Sequence, residues 1–476
     1  MPDIAAAQPS RPSRPSEAVS PVRWAAAHER VVETLRQLIR IPSVNPPDPP
    51  GAELDAAQTI AALLGESGIP ATVYEPVPGR GSVVARLRGD GTGGEPLLLL
   101  SHLDVVPAAG TWTHEPFAAD LTDGYVWGRG AVDMKDLVAM EIEVVRLLAE
   151  EATAAGLDPA RDAVPGLRRD ILLASTADEE AGGLDGIGWL AAEHPEHLRA
   201  AGAINESGGF SVPLGGRRLY PIQVAEKGYA VYRITVHGTW GHGSMPRPDN
   251  AAVLAARAIG RLAAPGAPRV TPPMARFLDA LGEQLPEAIG PLRAVASGDA
   301  GAASLLEPHL ALALEALFRD TITVGIVTAG VKYNVIPGLA TIEIDCRVLP
   351  DSDEASMRSE VHARLGPDLA DACDVELVIY GAPVESPTEG ELYRILAETI
   401  TAHDPEGIPV PAMMPFATDA KHLAPLGVPC YGFSPLRMSA EDRYFAWFHG
   451  EDERVPVDAL RWGLPVLYDA VRRFCG

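Results

Sequence analysis

Apolar residues recur along the chain in two alternating textures. From Trp24 to Arg40, Val31, Leu35, Leu38 and Ile39 return at helical spacing, and Pro42 ends the run. Three short, continuously apolar runs follow, Leu97 to Leu100, Ile171 to Ala174 and Ala201 to Ile204, as expected of strands buried on both faces. Helix-like stretches such as Met134 to Glu150 lie between them. This alternation predicts an α/β fold with a mostly parallel sheet. Each apolar run also ends in polar residues: Ser101-His102, Ser175-Thr176 with an acidic cluster, and Asn205-Glu206. Open α/β sheets place their sites just past the C-terminal ends of strands. One such end is ordinary loop polarity; three predict a converging cluster.

From Glu226 the texture changes. Tyr229 to Val236 alternates as a half-buried strand does, and Gly238 to Gly243 is punctuated by glycine. Helical material rich in Ala and Leu follows, interrupted from Pro265 to Pro273. Strand-like segments return at Thr321 to Val327 and Ala340 to Val348. The chain turns near Tyr380 to Pro387 and then resumes a helix–strand pattern, with no internal repeat. The expected organisation is a first domain over 24–225 and 383–476, with an α+β module over 226–382 inserted in it. Residues 1–23, rich in Pro, Ser and Ala, read as a disordered tail without the apolar stretch of a signal peptide.

Charge and cysteine content narrow the class. Across 476 residues, 39 Lys+Arg against 64 Asp+Glu give a net charge of −25. Nucleic acid and anionic membranes reward basic surfaces, so neither is an expected partner. No run reaches the ~20 apolar residues that span a bilayer. The four cysteines, Cys346, Cys373, Cys430 and Cys475, are widely spaced and form no C-x-x-C pair. Neither a zinc–thiolate site nor a disulfide framework is expected, and a reducing, cytoplasmic location fits.

Several segments carry candidate chemistry. In His102-Leu103-Asp104, the aspartate can reach the second ring nitrogen of a metal-binding imidazole and fix its orientation. In Trp127-Gly128-Arg129-Gly130-Ala131-Val132-Asp133-Met134-Lys135, the glycines place Asp133 just before a helix. There its two oxygens can bridge two cations, or it can serve as an N-cap. In Asp178-Glu179-Glu180 the adjacent glutamates can divide labour, one ligating metal and the other deprotonating water. A solvated acidic turn is the alternative. Glu206 adds a hard oxygen donor, and His449, far downstream, adds a second imidazole.

Taken together, these pieces resemble the family of aminoacylase-1, carboxypeptidase G, acetylornithine deacetylase and succinyl-diaminopimelate desuccinylase. The likeness runs from about Thr34 to the C-terminus through "LLSHLDVVP", "WGRGAVDMK", "STADEEAGG", "INESGG", "GHGSMPRPDNA", "GVKYNVIPG", "DCRVLP", "TDA" and "FHGEDERV". The resemblance implies a mostly parallel-sheet zinc-peptidase catalytic domain with an inserted α+β lid and dimerisation domain. It implies two Zn2+ per chain, one held by His102, Asp133 and Glu206 and the other by Asp133, Glu180 and His449. Co2+ or Mn2+ suits the same ligands. Asp104 would orient His102, and Glu179 would act as general base. His242 would reach the partner subunit's site in a homodimer formed through the lid. Asn334, Arg347 and Asp419 would bind substrate, although a strand-end salt bridge accounts for Arg347 equally well.

The resemblance also has departures. Pro415-Phe416-Ala417 replaces a loop that is often glycine-rich, and Gly381-Ala382-Pro383 replaces an arginine-bearing stretch of carboxypeptidase-like members. The long lid, with extra helix expected between about residues 272 and 320, is closer to carboxypeptidase S-like and N-acyl-amino-acid hydrolase members. The implied activity is cleavage of the amide bond of a dipeptide or N-acyl amino acid by a two-zinc-activated water. The alternatives are a deacylase of an N-acetyl or N-succinyl diamino acid intermediate and a catalytically dead, metal-stabilised binding protein. Retention of Glu179 speaks against the last.

Overall fold

A computed structural model describes residues 14–45, 53–287, 289–299, 301, 314–442 and 444–476. The chain forms two compact units. The larger comprises 1–222, 387–410 and 422–476, and the smaller comprises 223–386 and 411–421.

The larger unit is built on a sheet whose neighbouring strands run Ala71–Val77, Arg80–Leu87, Ile171–Thr176, Leu97–His102, Gly202–Asn205 and Cys430–Gly432. The last four pair in parallel and the first two join antiparallel at one side. Leu97–His102 and Ile171–Thr176 are buried at every position, which is why their sequences are continuously apolar rather than alternating. Their register sets Leu97 beside Ile171 and His102 beside Thr176, so the polar residues that follow them emerge together. Helices Pro21–Ile39, Lys135–Ala154 and Val457–Cys475 pack against one another. Lys135–Ala154 is buried almost throughout.

The N-terminal expectation is corrected over residues 14–23, while 1–13 lie outside the described residues. Pro15–Ala18 forms a 3-10 turn, and a helix starts at Pro21 with Ser20 accepting from the Arg23 N–H. Ser16 Oγ donates to Asp469 Oδ2 at 2.7 Å, and Trp24 Nε1 donates to Ser16 O at 3.0 Å. A buried carboxylate therefore orders a segment whose composition reads as tail.

The smaller unit carries a four-stranded antiparallel sheet in the order Thr321–Ala329, Leu339–Val348, Gly228–His237, Cys373–Gly381. Ala230, Tyr232, Ile234 and Val236 alternate inward with Ala340, Ile342, Ile344 and Cys346 against Ala255 and Ala258 of helix Ala251–Leu262 and Met357 and Val361 of helix Glu354–Leu365. Helices Pro272–Gln284 and Ile289–Ala296 occupy part of the expected extra helical region; 302–313 fall outside the described residues. Segment 411–421 joins this unit although the sequence assigns it to the first domain. Thr418 donates to Glu226 Oε2 through its N–H (3.1 Å) and Oγ1 (2.8 Å), and Lys227 N–H donates to Met414 O at 3.1 Å. All four cysteines are buried free thiols. No helix among the described residues is long and apolar enough to cross a membrane.

Candidate metal centre

At the strand ends of the larger unit, five side chains bring their donor atoms together. His102 closes its strand, with Nε2 3.2 Å from Asp133 Oδ1 and 3.7 Å from Glu206 Oε1. The other Asp133 oxygen lies 3.1 Å from His449 Nε2, which is 3.3 Å from Glu180 Oε2. Asp133 thus offers one oxygen to each of two trios, His102–Asp133–Glu206 and Asp133–Glu180–His449. Within each trio the ligand atoms all lie within 4.8 Å of one another.

The chain holds these groups in place locally. Gly128 has φ 152°, and a Cβ there would lie 2.5 Å from an Ile39 methyl and 2.8 Å from Pro116 O, so the turn before Asp133 requires glycine. The helix after it is N-capped by Met134 without a side-chain bond, so Asp133 does not cap; its carboxylate faces the imidazoles instead. Asp104 is fully buried and anchors three nearby residues. Its Oδ1 is 3.4 Å from His102 Nδ1, which also lies 3.0 Å from the Asp104 carbonyl. The same carboxylate accepts the backbone N–H groups of Glu179 (3.1 Å) and Glu180 (3.0 Å). The two glutamates are therefore fixed through their backbone in one 3-10 turn. Asp178, Ser207 and His449, at φ 73°, 74° and 56°, are non-glycine residues in the left-handed region around this centre. Such conformations cost on the order of 1–3 kcal/mol each and persist where surrounding structure imposes them.

The charges of the centre call for cations. Hydrogen bonds to Asp133 and Glu180 push His449 up to about 10. Burial, with the Asp133 charge adding to it, pushes Glu180 up to about 7. Burial alone would lower His102, but Glu206, Asp104 and Asp133 raise it well above the ordinary histidine value. Glu180 Oε1 is buried without a hydrogen-bond partner. Three carboxylates and two imidazoles converge, each trio mixing oxygen and nitrogen donors, and a divalent cation in each trio matches that set. The residues fit divalent metals of the kind that the resemblance implies.

Residues outside the expected ligand set also hold the centre together. Glu453, fully buried, accepts from the N–H groups of Val132 (2.9 Å) and Asp133 (3.2 Å) and pairs with Arg129 at 2.6 Å. Arg129 donates in turn to the carbonyl of Gly450, beside His449. Arg454 lies over the rings of Trp127 (4.3 Å) and Trp447 (4.6 Å), fixing the same loop. Asn45 donates to Asp104 Oδ2 at 2.8 Å and accepts from Arg80. Glu453 and Arg129 stand within conspicuous segments of the sequence, whereas no spacing points to Asn45. Glu453→Ala leaves the Arg129 charge buried without the carboxylate that pairs with it, and is expected to destabilise the protein by about 3–5 kcal/mol. Metal affinity should fall by about 10–100-fold, as when other outer contacts of a metal site are lost. Denaturant unfolding and competition with a chelator measure both.

The remaining candidates lie in the smaller unit. His242 is exposed in the two-residue strand Gly241–His242, paired with Val335–Ile336. Its Nδ1 accepts the Ser244 N–H at 3.2 Å and meets Ser244 Oγ at 2.7 Å, so the neutral ring carries its proton on Nε2. Gly243 N–H donates to the carbonyl of exposed Asn334, and a Cβ on Gly243 would stand 3.0 Å from that carbonyl carbon. Arg347 engages Asp345, two residues back on the same strand, at 2.9 Å. Asp419 is buried, 3.8 Å from Lys421 Nζ.

Comparison with known proteins agrees with this architecture. Residues 98–473 match the model of peptidase family M20/M25/M40. The probable carboxypeptidase S-like 2 of Dictyostelium discoideum is 29% identical, covering 79% of this chain and 71% of that protein. An N-fatty-acyl-amino acid synthase/hydrolase of Mus musculus is 28% identical over 93% of this chain and 88% of its own. Human aminoacylase-1 is 27% identical over 89% and 90%. Among solved structures, the dipeptidase Dug1p of Saccharomyces cerevisiae superposes with TM-score 0.68 at 15% identity, over 95% of this chain and 97% of its own. A dinuclear metal binding peptidase of Bacillus subtilis superposes with TM-score 0.57 at 13% identity, over 95% and 99%.

Proposed function

Since the chain belongs to peptidase family M20/M25/M40 and is a metallohydrolase, we propose that it cleaves the amide bond of a dipeptide or an N-acyl amino acid at a centre of two zinc ions. The observation that carries this reading is the pair of donor trios sharing Asp133. His102, Asp133 and Glu206 hold one ion, and Asp133, Glu180 and His449 hold the other. Bound there, the two cations supply Lewis acidity that acidifies water and draws charge from the scissile carbonyl.

The remaining work falls to the chain. Glu179, adjacent to a ligand but outside both trios, takes the proton of the attacking water and passes it to the departing amine nitrogen. Asp104 keeps His102 and the Glu179–Glu180 turn in register through the bonds described above. His242 of the partner subunit donates its Nε2–H to the developing oxyanion, the tautomer its Ser244 contact favours. Asn334, Arg347 and Asp419 bind the substrate, with the guanidinium suited to a carboxylate through two parallel hydrogen bonds.

His242→Ala is expected to lower the chemical rate by about 10²–10³-fold, as for other oxyanion donors, with metal content and dimerisation unchanged. Mixing this variant with Glu179→Gln under subunit exchange should restore activity, because one mixed site draws an intact base and an intact histidine from different chains. Heterodimers that form without any rescue would remove the trans role. The substrate assignment is tested by hydrolysis of dipeptides, of N-acetyl, N-succinyl and long-chain N-acyl amino acids, and of acylated diamino acids by the metal-loaded protein. Turnover of dipeptides or simple N-acyl amino acids supports it, and turnover restricted to acylated diamino acids contradicts it.

A further inference from the structure

A second cluster of metal-type donors lies in the larger unit, apart from the centre described above. Helix Ile187–Glu193 ends at His194, and the 3-10 turn Pro195–His197 follows immediately. Pro195 fixes its own φ, the His197 N–H donates to His194 O at 3.0 Å, and buried Leu198 anchors the far side of the turn. The turn brings three side chains together. Glu196 Oε1 lies 3.2 Å from His194 Nδ1 and 4.0 Å from His197 Nε2, and the three ligand atoms all fall within 4.8 Å of one another.

Both imidazoles are held from outside the turn. Tyr74 packs on His194 with ring centroids 4.4 Å apart and reaches His197 Nε2 with its hydroxyl at 3.0 Å. Trp189 lies 5.2 Å from the His194 ring. Two imidazoles and one carboxylate, with solvent access on the Glu196 side, make a three-ligand set with an open position. Ligand atoms around a tetrahedral zinc are separated by roughly 3.3 Å, as follows from bonds of about 2.0–2.1 Å. Small side-chain rotations close the remaining gap.

We propose that His194, Glu196 and His197 form a peripheral site for one divalent transition-metal ion, distinct from the catalytic centre. The chemical class follows from the donors. Two nitrogens and one oxygen suit Zn2+, Co2+, Ni2+ or Cu2+, whereas Ca2+ and Mg2+ require oxygen cages. Binding takes His197 Nε2 away from the Tyr74 hydroxyl, so the phenol competes with the ion rather than holding it.

The test compares full-length wild type with His194→Ala, His197→Ala and Tyr74→Phe in equilibrium dialysis against Zn2+. The two histidine variants are expected to bind one equivalent less than wild type, whatever number the catalytic centre holds. Tyr74→Phe is expected to bind as many equivalents as wild type, at least as tightly. Cu2+ gives an independent readout, since a paramagnetic ion at this site quenches Trp189. The Trp189 part of the quench, defined as the part lost in Trp189→Phe, should persist in Glu180→Gln and vanish in His197→Ala. Equal zinc equivalents in wild type and both histidine variants would overturn the site, as would a Trp189 quench that survives His197→Ala. Loss of the equivalent in Tyr74→Phe would overturn the competing role of the phenol.

Discussion

Glu179→Gln is expected to lower turnover by about 10²–10⁴-fold, the usual contribution of a positioned general base. Metal content should stay at the wild-type level, because Glu179 belongs to neither donor trio. The amide is nearly isosteric with the acid, and the Glu179 N–H bond to Asp104 is a backbone contact that the substitution leaves in place. The loss should therefore fall on the chemical step rather than on folding. Glu180→Gln is the control. Its carboxylate meets His449 at 3.3 Å, so its replacement removes a charged ligand and should weaken one of the two ions by about 10-fold or more. Elemental analysis and single-turnover rates on both variants separate the roles. Equal metal loss in the two would contradict the division of labour between these neighbours.

Much of the centre was legible because parallel strands buried on both faces announce their own ends. Leu97–His102 and Ile171–Thr176 are apolar until the last residues, and the change to polar marks where side chains reach the site. Their register, with His102 beside Thr176, and the pairing of Leu97–His102 with Gly202–Asn205 on its other side turn three separate sequence signals into one cluster. The change of texture after Glu226 was legible through the opposite pattern, the alternation of Tyr229 to Val236, which the burial of Gly228–His237 follows.

What depended on long-range partners was not legible. In Glu451-Asp452-Glu453 the three acids look equivalent, yet each does something different. Glu451 accepts from the Thr111 N–H and Asp452 from Thr113, while Glu453 turns inward to Val132 and Asp133. Only the path of the folded loop distinguishes them. The same holds for residues 14–23, ordered by Asp469, and for 411–421, drawn to the smaller unit by Glu226. Arg347 has two chemically reasonable uses, and its pairing with Asp345 is visible only once the strand is placed.

On the proposed mechanism, removal of metal is expected to abolish hydrolysis, since protein groups alone do not replace the Lewis acidity of bound cations. It should also lower stability. Without cations the carboxylates of Asp133, Glu180 and Glu206 crowd around His102 and His449 with their mutual repulsion less compensated. Each ion present at 100 times its dissociation constant contributes about 2.7 kcal/mol by mass action, so the chelated protein should melt at lower temperature. Chelation with full retention of activity would contradict the mechanism.

The most direct test of the central claim is a metal titration of the stripped protein. Wild type and the His194→Ala variant are reconstituted with increasing zinc, and activity is followed together with bound metal per chain. Both proteins should reach full activity only when the two trios that share Asp133 are filled, at two catalytic equivalents per chain. Full activity at one equivalent or with none would contradict a two-metal centre.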